Sequence, residues 1–74
     1  MKTYVEIFVS SEGMKASEIL DKLTKMGFKP SFGEQDFVYH WSKKVVLPEI
    51  LNFVDKVQSK LKGAGVIMKF TTIK

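Results

Sequence analysis

The chain has 74 residues, 45% apolar and 27% charged, with a net charge of +4. That is the composition of one folded domain spanning residues 1–74, with no low-hydrophobicity disorder. It has no cysteine and one histidine, which excludes disulfides, thiolate metal sites and histidine-rich metal sites. No apolar run approaches the roughly 20 residues of a membrane span, and Glu6 comes too early for a signal peptide, so the expectation is a cytoplasmic chain without a membrane partner.

All 12 cationic residues are lysines. Arginine is the residue suited to bidentate recognition of phosphate, carboxylate and guanine. Lysines interspersed with eight acids describe a solvating surface, and their charge supports only non-specific attraction to nucleic acid.

Residues 3–9 alternate, with Val5, Ile7 and Val9 set against Tyr4, Glu6 and Phe8, which predicts a strand with two distinct faces. Ser10-Ser11-Glu12-Gly13 ends it. Residues 14–26 take the helical period, with Ala16, Ile19, Leu20, Leu23 and Met26 on one stripe and Gly27 at the C-terminal cap; Glu18 and Lys22 are spaced to pair.

Phe28 to Phe32 is a second strand, placed at a sheet edge because Pro30 has no amide donor. Gly33-Glu34-Gln35-Asp36 is a turn, and the aromatic-rich run Phe37 to Trp41 completes a hairpin. A second helix begins near Leu47-Pro48-Glu49, buries Ile50, Val54, Val57 and Leu61, and stops at Gly63 and Gly65. Val66 to Ile73 alternates again as the last strand.

This β-α-β-β-α-β order predicts an α+β, two-layer sandwich: an antiparallel four-stranded sheet in the order 4-1-3-2 with both helices on one face. Pro30 then falls on an edge strand, as its missing donor requires. Pairing Phe32 with Phe37 across a four-residue loop gathers Phe28, Pro30, Phe32, Phe37, Tyr39 and Trp41 on one face. Burying an aromatic is worth about 1.5–3 kcal/mol, which assigns that face to the core. A three-residue loop would flip one strand, and a slip by one residue reverses every assignment on it.

The sheet face left without helices is then predicted to carry Tyr4, Glu6, Phe8, Val38, His40, Ile67 and Lys69, with Lys29 and Ser31 to one side. This surface is the candidate site for a ligand or partner. Two lesser candidates stand beside it. Ser10, Ser11, Gly13 and Lys15 lead into a helix N-terminus, where free amides attract anions, although Glu12 opposes one and a plain helix start explains the glycine. His40 is either an ordinary half-exposed sheet residue or a base held by Glu6 on the adjacent strand, with no nucleophile evident beside them. Met14, Met26 and Met68 suit a core, and Lys43-Lys44 suits a solvated loop.

The order of elements resembles the ferredoxin-like superfold over the whole chain, which implies a fold and no particular function. Gly13-Met14 is similar to the start of the heavy-metal-associated domain, but Ala16 and Ile19 stand where that family has cysteines, so no metal carriage is implied. Val5 to Val9 with Gly13, Ile19, Leu20, Leu23 and Gly27 resembles the ACT regulatory domain, which binds amino acids between paired subunits. Ser10-Ser11-Glu12 replaces that family's acid-arginine-proline. Tyr4 and Phe8 resemble the first-strand stacking residues of RNA-recognition motifs, while the third-strand glycine and basic residues are absent. Acylphosphatases share the fold but need an arginine in the first loop.

These readings converge on a non-catalytic domain, without cofactor or metal, that self-associates as a homodimer and binds a small ligand or protein partner at the open sheet face. A chain this short buries only about 60% of its unfolded surface, and with no disulfide to staple it, assembly is the remaining source of stability. The alternatives are single-stranded nucleic-acid binding through Tyr4, Phe8 and lysines, and a small enzyme using Glu6 and His40.

Overall fold

A computed structural model describes residues 1–33 and 35–74; Glu34, expected in the hairpin turn, lies outside the described residues. The elements run β1 (Lys2–Val9), α1 (Ala16–Lys25), β2 (Lys29–Pro30), β3 (Phe37–His40), α2 (Leu47–Lys60) and β4 (Val66–Ile73). The four strands form one antiparallel sheet in the order β2-β3-β1-β4. This is the predicted order read from the other edge, and it is consistent with the ferredoxin-like fold.

The period-two residues of β1 and the 3.6-period residues of the helices meet as expected. Val5, Ile19, Leu23, Phe28, Val57, Leu61 and Ala64 form the buried cluster, with Ile7, Phe37, Tyr39, Phe53, Met68 and Phe70 packed against it. Phe53 stands at the centre of the aromatic part. Its ring centroid lies 4.4 Å from Tyr39, 5.1 Å from Trp41 and 5.5 Å from Phe28. Such tilted and offset pairs add about 0.5–1.5 kcal/mol each beyond their buried area. The sequence stripe of α2 left Phe53 out; its place beside Val57 on the helix face turned to Tyr39 makes it the main contact of α2 with the hairpin.

Beneath these rings, Trp41 Nε1 donates to the Thr3 hydroxyl at 2.8 Å, and Thr3 shares a second hydrogen bond of 2.9 Å with the Thr72 hydroxyl. Thr3 is wholly buried, so both bonds offset the cost of burying its oxygen. Three strands are tied at that point.

The hairpin differs from expectation in register but not in face. Pro30, and not Phe32, lies opposite Phe37, and Lys29 lies opposite Val38. A shift of two residues keeps the parity of every side chain. It shortens β2 to two residues and leaves Phe32, expected in the core, fully exposed. Pro30, assigned to the core with the aromatics, is exposed on the edge strand, and three further core assignments are corrected: Val9, Leu20 and Ala16 are exposed. They lie where β1 and α1 run past the end of the shortened hairpin, so nothing covers them. The ion pair found on α1 among the described residues is Asp21–Lys25 at 3.0 Å, and not the expected Glu18–Lys22. Both side chains are largely exposed, and the pair contributes little.

Gly27 ends α1 with φ at 101°, in the left-handed region foreseen for it. Gly13 serves a different purpose. The loop after β1 packs its backbone on the loop before β4, where Met14 N–H donates to the Ala64 carbonyl at 2.7 Å. A Cβ on Gly13 would overlap that same carbonyl oxygen. Gly13→Ala is therefore expected to lower stability by about 2 kcal/mol or more, read as a fall in the urea midpoint with an unchanged slope.

Candidate interaction surface

The register of β1 with its neighbours sets the outer face, the one turned away from the buried cluster. Tyr4 lies between Val38 and Thr71, Glu6 opposite Lys69, Phe8 opposite Ile67, and Lys2 between His40 and Ile73. Directly paired residues share a face. Tyr4, Glu6, Phe8, Val38, His40, Ile67 and Lys69 are thus brought together on one side of the sheet, joined by Lys2, Lys29, Thr71 and Ile73.

Within this surface the exposures are unequal. Phe8 is 59% exposed and its cross-strand neighbour Ile67 71% exposed, while Ile73 further along β4 is 52% exposed. Val38, expected to face solvent, is only 7% exposed although it is on the outer face. It sits on the inner strand β3, flanked on both sides, by Tyr4 of β1 and Lys29 of β2.

His40 and Glu6 do not meet. His40 pairs with Lys2, four positions from Glu6 along β1, which separates them by roughly 13 Å at the rise of a strand. A carboxylate-held imidazole, the arrangement an enzyme reading requires, is not formed by these two residues.

In the loop of Ser10, Ser11, Gly13 and Lys15, three amides are already taken within the protein. Glu12 N–H donates to Ser10 Oγ, Gly13 N–H to the Ser10 carbonyl and Met14 N–H to the Ala64 carbonyl. Lys15 caps α1 with its backbone and makes no side-chain cap. Among the described residues no group of three or more His, Asp or Glu side chains is placed to hold a metal ion. No helix among them is long and apolar enough to cross a membrane.

A groove of about 540 Å³ opens on the helix side of the sheet, lined by Ile7, Val9, Ile19, Leu20, Pro30 and Phe37, with Asp36 at its rim. It exists because β3 pairs with β1 only as far as Val5, whereas β1 continues to Val9. At the break, Asp36 N–H donates to the Val5 carbonyl at 3.1 Å, and the Asp36 carboxylate accepts the Ile7 N–H at 2.7 Å. One side chain thus extends the ladder by one bond and leaves the Val9 end of β1 unpaired on that side. Sequence reasoning missed this feature, since Val9 and Leu20 carry the same apolar signal whether covered or not. Asp36 before an aromatic strand was the available hint, because aspartate commonly completes backbone hydrogen bonding at turns.

Comparison with known protein families, with curated proteins and with solved structures finds no match to this chain.

Asp36→Ala should remove the acceptor from Ile7 N–H and speed its amide hydrogen exchange at least about ten-fold, in proportion to one lost hydrogen bond of roughly 1.4 kcal/mol, while Val5 stays protected. Residue-resolved exchange by NMR reads both positions at once.

Proposed function

We propose that the chain is a two-layer ferredoxin-like domain that works in the cytoplasm as a non-catalytic binding and assembly module. It self-associates as a dimer through its outer sheet face or a sheet edge, and that surface takes a small ligand or protein partner. The observation that carries this reading is the exposed pair of Phe8 and Ile67 on adjacent strands, with Ile73 on the same face. Apolar side chains scattered singly are ordinary on a protein surface; an exposed aromatic paired directly with an exposed isoleucine supports an interface. The small core supports the same reading, because assembly adds the burial that the chain cannot reach alone.

A second reading rests on Lys2, Lys29 and Lys69 sharing that face with Tyr4 and Phe8, the combination that attracts and stacks single-stranded nucleic acid. Glu6 in the middle of the face and the lack of arginine weigh against it.

Light scattering behind size-exclusion chromatography, at two protein and two salt concentrations, tests the first reading. The expected result is a dimer that persists in high salt, since its surface is apolar. A monomer at the highest concentration in both salts rejects it. Under the second reading an oligonucleotide binds with an affinity that falls steeply with salt, and Phe8→Ala costs about 1–3 kcal/mol of it. Fluorescence anisotropy that stays flat at low salt removes that reading.

A further inference from the structure

The sheet ends in a strand of unusual freedom. β4 runs eight residues, pairs with β1 along its whole length, and has no strand on its other side. Backbone groups alternate direction along a strand. Met1 and Val5 turn their carbonyls toward β3, accepting from Trp41 and Asp36, so Lys2, Tyr4, Glu6 and Phe8 bond to β4. Their partners Ile73, Thr71, Lys69 and Ile67 return those bonds. The N–H and C=O groups of Val66, Met68, Phe70 and Thr72 are left pointing out of the sheet. A long edge of this kind is normally blunted by proline, a bulge or repeated charge. Here β4 contains no proline, keeps an unbroken register with β1, and carries one charge, Lys69.

Both flanks of this edge carry apolar side chains, with Gln58 and Lys62 polar beside them on the helix side. On the outer face the apolar side chains are Ile67 and Ile73, both more than half exposed. On the helix side, Gln58 of α2 borders a cleft shared with Val66 and Met68, which turns that side of α2 toward β4. Val54, Leu51 and Leu47 continue the same side of the helix at spacings of three and four residues. Leu51 is 52% exposed and Leu47 is exposed too, because Phe53 and Val57 are the residues turned to the core.

We propose that the partner of this edge is β4 of a second copy, paired antiparallel about a twofold axis at Phe70, so that two four-stranded sheets become one continuous sheet. This rests on the self-association reading above and specifies its geometry. The register follows from the sequence of β4. With Phe70 opposite Phe70 of the second copy, Ile67 of each copy meets Ile73 of the other on the outer face, and Lys69 meets Thr71. Outward residues then face outward residues, so each N–H and C=O finds a partner. Centring the axis on Lys69 would set the two ammonium groups directly opposite, which is destabilising. Centring it on Met68 or Thr72 would leave one of the two isoleucines beyond the paired segment. An edge alone buries less than the roughly 800 Å² per partner of a stable interface. The leucines of α2 supply further apolar area on the helix side, where the two copies of that helix flank the joined strands.

The chain has no cysteine, so engineered ones report cleanly. Within one copy, positions 67 and 73 are six residues apart on a strand, about 20 Å, and cannot join. Across the proposed axis they form non-hydrogen-bonded pairs, whose Cα separation of about 4.5 Å suits a disulfide. Ile67→Cys/Ile73→Cys is expected to oxidise to a covalent dimer, while Ile67→Cys/Thr71→Cys, matched to the register centred on Lys69, is not. Met68→Pro deletes an outward N–H and a side chain packed on the core but no bond of the β1–β4 ladder, and in a protein whose circular dichroism shows it folded it is expected to raise the dimer dissociation constant at least about a hundred-fold. A wild-type dimer that gives no 67–73 crosslink overturns the edge geometry and leaves self-association standing. A dimer undiminished in a folded Met68→Pro protein does the same. A wild-type monomer at the highest concentration overturns both.

Discussion

The packing of Phe53 against Phe28, Tyr39 and Trp41 is the contact from which the rest of this structure follows. It holds Tyr39 and Trp41 on the helix side of β3. Strand alternation then sends Val38 and His40 to the other side, and the pairing of β3 with β1 carries the same choice across to Tyr4, Glu6 and Phe8. From β1 it passes to Ile67, Lys69 and Ile73 on β4. The hydrogen bonds from Trp41 to Thr3 and from Thr3 to Thr72 reinforce this choice at one end of the sheet. Had the aromatic side of the hairpin lost the competition for the core, every residue of the outer surface would be a different one.

A second constraint is the unequal length of the strands. The central strand β1 is matched by β4 over its whole length but by β3 over only half of it. The Asp36 carboxylate ends the shorter ladder by taking the Ile7 amide, a polar solution to a problem that a longer β3 would solve with backbone. The groove beside Val9 and Leu20 is the consequence. On the opposite side of the molecule the long β4 is fully paired inward and free outward. Apolar side chains in water and unpaired backbone groups therefore fall together at the β4 side of the domain, and both are relieved by one event, the approach of another strand.

The positions of the polar groups shape the functional reading as much as the apolar ones. His40 lies opposite Lys2 and away from Glu6, and the buried Thr3 hydroxyl is tied to Trp41 and Thr72. In the loop at the start of α1, the amides of Glu12, Gly13 and Met14 bond to Ser10 and Ala64. What distinguishes this domain is its surface: an aromatic and two isoleucines on the outer face, and leucines on α2 beside the outermost strand.

The sequence by itself determined the order and type of all six elements, the glycine that stops α1, the span of β4, the strand order, and which residues share the outer face. These follow from local rules: the period of apolar residues, the geometry of proline and glycine, and the alternation of a strand, which survives any shift by an even number of residues. Only the tertiary structure decided that the hairpin slides by two, that Phe32, Val9 and Leu20 meet solvent, that Val38 does not, and that Phe53 joins α2 to the sheet. It also decided that Glu6 and His40 stand far apart, and that Gly13 is there to let two loops touch. Each of these depends on what a residue finds opposite it on a distant segment. An apolar side chain carries the same local signal whether a neighbour arrives to cover it or not.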